Sequence, residues 1–159
     1  MAQIALRMSL FGVMSAETES PELLDALWEI ELQYDLGLHY ASFRAFMLDC
    51  LALIQERWLP PIALDALAVA LRFQAGEASA DELTAERVRC WQHLRERGHT
   101  SQLEDDETVA IRATLCALYA EPGSGETAGD LLPWFLVLVN RLEDRSSDEL
   151  ALLKRHFPR

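Results

Sequence analysis

The amino-acid sequence predicts an all-α fold, a single-domain bundle of about seven helices spanning residues 1–159. Three observations carry this reading. Apolar residues recur at i, i+3, i+4 and i+7 along most of the chain, and the period-two alternation of half-buried strands is hardly seen. Helix-opening residues (Ser-Pro-Glu, Ser-x-x-Glu, clustered Asp and Glu) alternate with Gly and Pro where helices must stop. Half of the residues are apolar and a quarter charged, which suffices for one core.

Residues 1–19 are read as a loosely packed N-terminal segment. Its first 14 residues are apolar with a single Arg7 and are interrupted by Ser9 and Gly12, so a weak signal peptide is the alternative. Ser20, Pro21 and Glu22 supply an N-cap, a first-turn proline and a negative charge at the positive end of a helix dipole. Leu23, Leu24, Leu27, Ile30 and Tyr34 then share one face, opposite Glu22, Asp25 and Glu29, and Gly37 is the stop. A second helix runs from Ser42 through Phe46, Cys50, Leu53 and Ile54 to about Trp58, where Pro60 and Pro61 forbid continuation. Pro61 opens the third helix, whose expected buried stripe is Leu64, Leu67, Ala68 and Leu71 and whose end is Gly76. Ser79 with Glu82 forms a capping box for a fourth helix burying Leu83, Cys90, Trp91 and Leu94, with Arg95 and Arg97 before Gly98.

The tetrad Glu104, Asp105, Asp106 and Glu107 leads into an alanine-rich fifth helix ending near Tyr119. Residues 121–129, with Pro122, Gly123, Ser124 and Gly125, are predicted to be a flexible loop within the domain. Asp130 then caps a sixth helix in which residues 131–139 are apolar on every side apart from the interrupting Pro133, which places it at the centre of the bundle. Ser146 and Glu149 begin the last helix, through Leu150 and Leu153 to His156.

Charge and motifs narrow the function. With 26 Asp and Glu against 14 Lys and Arg the net charge is −12, which repels a phosphate backbone and favours a protein partner of basic character. The longest apolar run, residues 131–139, is too short to cross a bilayer as a helix, so neither nucleic acid nor membrane is an expected partner. Cys50, Cys90 and Cys116 are odd in number and widely spaced, as for buried free thiols in a reducing cytoplasm. Gly123, Ser124 and Gly125 lack the Gly-Lys-Ser/Thr of a phosphate loop, and the sole lysine is Lys154. Cys90 and His93 are three apart, with His99 beyond the helix end, but no spacing expected of a metal site or nucleophile elbow surrounds them. No cofactor, metal or catalytic residue is expected.

Clustered acid is the more informative feature, because it builds a potential that scattered charges do not. Glu29, Glu31 and Asp35 crowd the end of the first clear helix, and residues 104–107 form the tetrad. First-turn carboxylates are stabilised by the dipole, each by ~0.3–1 kcal/mol, whereas Asp35 lies near the unfavourable end. Trp28 stands at the edge of the apolar stripe beside the acidic face, either a core-rim residue or an interface anchor. Trp28, Glu29, Glu31, Asp35, Glu104, Asp105, Asp106 and Glu107 are therefore the candidate partner-binding residues.

Between residues 49 and 98 the chain carries Glu56-Arg57-Trp58-Leu59-Pro60, then Leu67-Ala68-Val69-Ala70-Leu71-Arg72-Phe73, Gly76-Glu77-Ala78-Ser79 and Glu86-Arg87-Val88-Arg89-Cys90-Trp91. This third of the chain resembles the Imm5-like group of bacterial immunity proteins, helical antitoxins encoded beside polymorphic toxins. The sequence is less alanine-rich than that group, and its last third has no counterpart there. The resemblance implies a non-enzymatic cytoplasmic antitoxin of interbacterial competition, including toxins delivered by contact or type VI secretion. It would occlude the active site of a cognate toxin whose cleft is basic. The competing classes are an adaptor or chaperone for a secreted effector, a helical regulatory module, a helical enzyme using carboxylates or Cys90 with His93, and a structural oligomer subunit.

Overall fold

Ser20 opens the first helix by accepting a hydrogen bond from the Leu23 N–H, with Pro21 in the first turn. The computed structural model describes residues 20–98, 105–121 and 126–158; the expected N-terminal segment 1–19, His99 and Glu104 lie outside them. Helix α1 (Pro21–Gln33) buries Leu23, Leu27 and Ile30. It ends before Gly37, because Tyr34 turns extended (φ −112°, ψ 121°). The Tyr34 hydroxyl donates to the Pro158 carbonyl at 2.9 Å, and its ring meets Phe157 edge-on at 5.1 Å. A distant contact, and not a glycine, terminates this helix.

Helix α2 (Tyr40–Trp58) starts two residues before Ser42, since Tyr40 is itself buried and pins the entry. Phe43, Phe46, Met47, Cys50, Leu51 and Ile54 are buried round much of its circumference. Helix α3 (Pro61–Gln74) follows the Pro60–Pro61 step. Its inward face is Ala63, Ala66, Leu67 and Ala70, and this corrects the expected stripe, of which only Leu67 is buried. Both stripes have helical spacing, but the alanine face lets α3 approach its neighbours closely, and Leu64 and Leu71 are left outside.

Helix α4 (Ala80–Glu96) has the expected capping box, Glu82 N–H to Ser79 Oγ at 3.2 Å and Ser79 N–H to Glu82 Oε2 at 2.6 Å. It closes at Gly98, whose φ of +73° is the left-handed conformation that glycine adopts without strain. Helix α5 (Asp106–Cys116) stops before Tyr119 because two guanidinium groups take the carbonyls that follow it. Arg87 donates to Leu118, and Arg44 donates to Tyr119 and Ala120.

Helix α6 (Glu126–Leu142) begins four residues before Asp130, inside the stretch expected to be a flexible loop. Glycine costs a helix only about 1 kcal/mol, which the burial of the adjoining apolar segment outweighs. Phe135, Leu136, Val137, Leu138 and Val139 are fully buried, as residues apolar on every side require. Helix α7 (Ser146–His156) has Arg145 as N-cap, and Glu149 is not a solvated first-turn carboxylate but a fully buried one.

These seven helices are an all-α bundle, with no strand among the described residues. Helix α2 is its axis and packs on α3, α5, α6 and α7. The tightest pairs around it are α5 with α6 and α3 with α4, while α7 also covers α1. Asp49 of α2 ties α7 down through His156 Nε2 at 2.7 Å and Arg155 at 3.1 Å. All three cysteines are free and buried.

Candidate functional site

The end of α1 and the turn into α2 bring four of the candidate residues together. Glu29 and Asp35 are exposed, and Trp28 and Glu31 are half-buried. Asp35 Oδ1 accepts the Leu38 N–H at 3.0 Å, and the Asp35 carbonyl accepts the His39 N–H at 3.0 Å. A carboxylate past the negative end of a dipole is retained here because it builds the turn. Gly37 has a role in the same turn: a Cβ there would lie 3.1 Å from Asp35 Oδ1, tighter than ordinary contact. The Tyr34 ring, edge-on to His39 at 5.2 Å and anchored on Phe157, holds the turn against the body of the bundle.

Two leucines complete this surface. Leu32 is 69% exposed and Leu38 is 83% exposed, the largest exposures among the large apolar side chains of the described residues. Single exposed leucines are ordinary; here one closes the last turn of α1 and the other follows Asp35 in the connection to α2, among acidic residues of the same stretch. Periodicity did not single them out, because it treats leucine as core. The available signals were that Leu32 lies off the Leu23–Leu27–Ile30 face and that Leu38 falls between two helices. Elsewhere on α1, a groove of about 530 Å³ lined by Ala26, Ile30, Lys154, Phe157 and Pro158 runs between α1 and α7.

The second acidic group is arranged differently. Asp105 is the N-cap of α5 and accepts the Thr108 N–H at 2.7 Å, and its other oxygen meets Arg97 at 3.4 Å. Glu107 lies 2.8 Å from Arg97 and 3.0 Å from His93 Nε2. Asp105 and Glu107 thus tie the start of α5 to the end of α4, while Asp106 is exposed in the first turn.

Of the residues weighed for catalysis, Cys90 and His93 both lie in α4, and His99 lies outside the described residues. Cys90 is buried, and burial, followed by the nearby Glu86 charge, pushes its thiol up to about 11, so it stays protonated at neutral pH. His93 is engaged with Glu107. Burial also raises Cys50 well above the usual thiol range and Cys116 to about 12. Among the described residues no three His, Cys, Asp or Glu side chains could hold a metal ion, and no helix is long and apolar enough to cross a membrane.

One further carboxylate was not anticipated. Glu149 is 0% exposed and neither of its oxygens makes a hydrogen bond. Burial pushes it up to about 7, opposed only in part by the Asn140 amide nearby. Compared with family models, with curated proteins and with solved structures, the chain has no match.

Proposed function

We propose that this domain is a non-enzymatic immunity protein that binds a cognate bacterial toxin in the cytoplasm and neutralises it by covering its active site. The observation that carries the proposal is the exposure of Leu32 in the last turn of α1 and of Leu38 in the turn after it, in the stretch that also holds Glu29 and Asp35. An apolar centre with a charged rim is the anatomy of a protein-binding surface, and the half-buried Trp28 nearby in α1 is of the residue type that hot spots favour. A rigid turn presents its side chains without the ordering cost that a loose segment would incur. The surplus of acid suits a toxin whose cleft is basic, and it speeds encounter with such a surface. The resemblance of residues 49–98 to the Imm5-like antitoxins supports the same reading.

The test is titration of this protein into the catalytic domain of the toxin encoded beside it. Full inhibition at one-to-one stoichiometry is expected, with affinity falling as salt rises. Leu38→Asp should weaken inhibition roughly 30-fold, the loss of about 2 kcal/mol expected for a central anchor. Undiminished toxin activity in the presence of bound protein would overturn inhibition and fit an effector adaptor holding an apolar segment of its client.

A further inference from the structure

Helix α3 carries a second apolar face, on elements remote from the turn after α1: α3 packs on α2, α4 and α5, and α1 on α7. At about 100° per residue, Pro61, Leu64, Ala68 and Leu71 fall on one outward arc of α3. All four are exposed, Leu64 by 40% and Leu71 by 49%. In a chain that is one-quarter charged, the outer arc of this helix carries only two charges, Asp65 and Arg72, both exposed on its α4 side. On its α2 side the arc is continued by small residues. Gln74 bonds the Ala41 carbonyl at 3.1 Å, and Ala41 and Ala52 of α2 are exposed.

We infer that this face is a self-association surface, on which a second copy of the chain packs its own α3 antiparallel across a two-fold axis at Ala68. The placement of the two charges is what selects a second copy. Asp65 and Arg72 are seven residues apart, two helical turns, and sit on the same edge of the arc. A two-fold axis perpendicular to the helix keeps each edge on its own side and reverses its direction. Asp65 of one protomer then lies within about one residue's rise, ~1.5 Å, of the level of its partner's Arg72, and the converse pair forms at the other end. On the opposite edge the same operation sets Leu64 against its partner's Leu71. Ala68 at the crossing presents only a methyl group, so the helices approach closely. Within the protomer the ion pairs are long, Asp65 at 3.9 Å from Arg89 and Arg72 at 3.7 Å from Glu82, and Arg72 also donates to the Glu77 carbonyl at 3.2 Å, while both side chains remain at least half-exposed. They stay available to a partner. With one short helix at its centre the interface is a small one, and the dimer is expected at high concentration.

Sedimentation velocity of the whole chain up to hundreds of micromolar, at physiological salt, tests this. The expected result is a concentration-dependent shift from monomer to dimer. Leu71→Glu should weaken the dimer tenfold or more with an unchanged helical circular dichroism spectrum. Asp65→Arg alone and Arg72→Asp alone should each be monomeric, because each sets like charges against each other across the axis. An equimolar mixture of the two should dimerise again. A wild-type chain that stays monomeric throughout would overturn the inference, as would a dimer that survives Leu71→Glu or a mixture that fails to associate.

Discussion

The two acid-rich regions look alike in sequence, but Asp105 and Glu107 meet side chains at the end of α4 while Asp35 accepts a backbone N–H of its own turn. At the start of α5, Asp105 and Glu107 face Arg97 and His93 across a helix–helix contact, so much of their charge is met inside the chain. At the end of α1, Asp35 is used as a turn-former and sits beside Glu29, Leu32 and Leu38, on a surface that points outward. Counting carboxylates therefore measures little. What a carboxylate does for the fold is set by the group it meets: a guanidinium at the end of α4 for Asp105 and Glu107, a backbone N–H of its own turn for Asp35.

The comparison breaks most completely in the core, at Glu149, a carboxylate neither presented nor paired. It is faced by Asn140 of α6, by Cys50 of α2, and by Asp144, Arg145 and Asp148 around the start of its own helix. Its pKa is raised from 4.5 to about 7, so the fold prefers the protonated form. The unfolded chain releases that proton at lower pH than the native one, hence native stability from this group is full below its unfolded value and falls as pH rises to about 7. The loss is of order 3 kcal/mol. Replacing Glu149 by Gln should flatten this decline and raise the melting temperature at about pH 8, with little change at about pH 4. Thermal unfolding of both proteins across that range checks it. Parallel curves would show that Glu149 does not control the slope.

Breaking the paired region should cost less. Asp105→Ala removes the cap on the Thr108 N–H and one partner of Arg97, a loss of about 1 kcal/mol. For a chain of this size that lowers the melting temperature by roughly 3 °C. Toxin affinity should be unchanged, since the role assigned to Asp105 is to hold α5 against α4. A variant that loses affinity while keeping its melting temperature would move the binding surface to the tetrad.

How far such distinctions were legible follows from what each depends on. The all-α class, the capping box at Ser79 and Glu82, and the all-round burial of residues 135–139 depend on local pattern, and the sequence sufficed for them. The rotation of α3 did not, because Leu64–Leu67–Ala68–Leu71 and Ala63–Ala66–Leu67–Ala70 are both helical stripes through Leu67. Periodicity establishes a helix, while its neighbours choose which side faces in. The burial of Glu149 and the ends of α1 and α5 likewise depend on contacts distant in sequence: α7 on α2, Tyr34 on Pro158, Arg44 and Arg87 on the chain after α5. For the site, the acidic residues and Trp28 were visible as types. The pairing of Asp105 and Glu107 and the exposure of Leu32 and Leu38 were not, since both are decided by tertiary packing.

The smallest effect separates the two regions most directly. Glu29→Lys and Asp106→Lys each change the net charge by the same amount, and both positions are exposed. If long-range attraction depended on net charge alone, the two variants would slow toxin association equally. If the surface after α1 is the one that docks, Glu29 acts within a Debye length of the partner, ~8 Å at physiological salt, and Asp106 does not. Stopped-flow association should then show Glu29→Lys slower by a few-fold at low salt and Asp106→Lys nearly unchanged, with dissociation rates alike. The gap should close as salt is added, because screening removes steering before it removes contact. Equal slowing in both variants would mean that the field of the whole molecule, and not the turn after α1, guides the encounter.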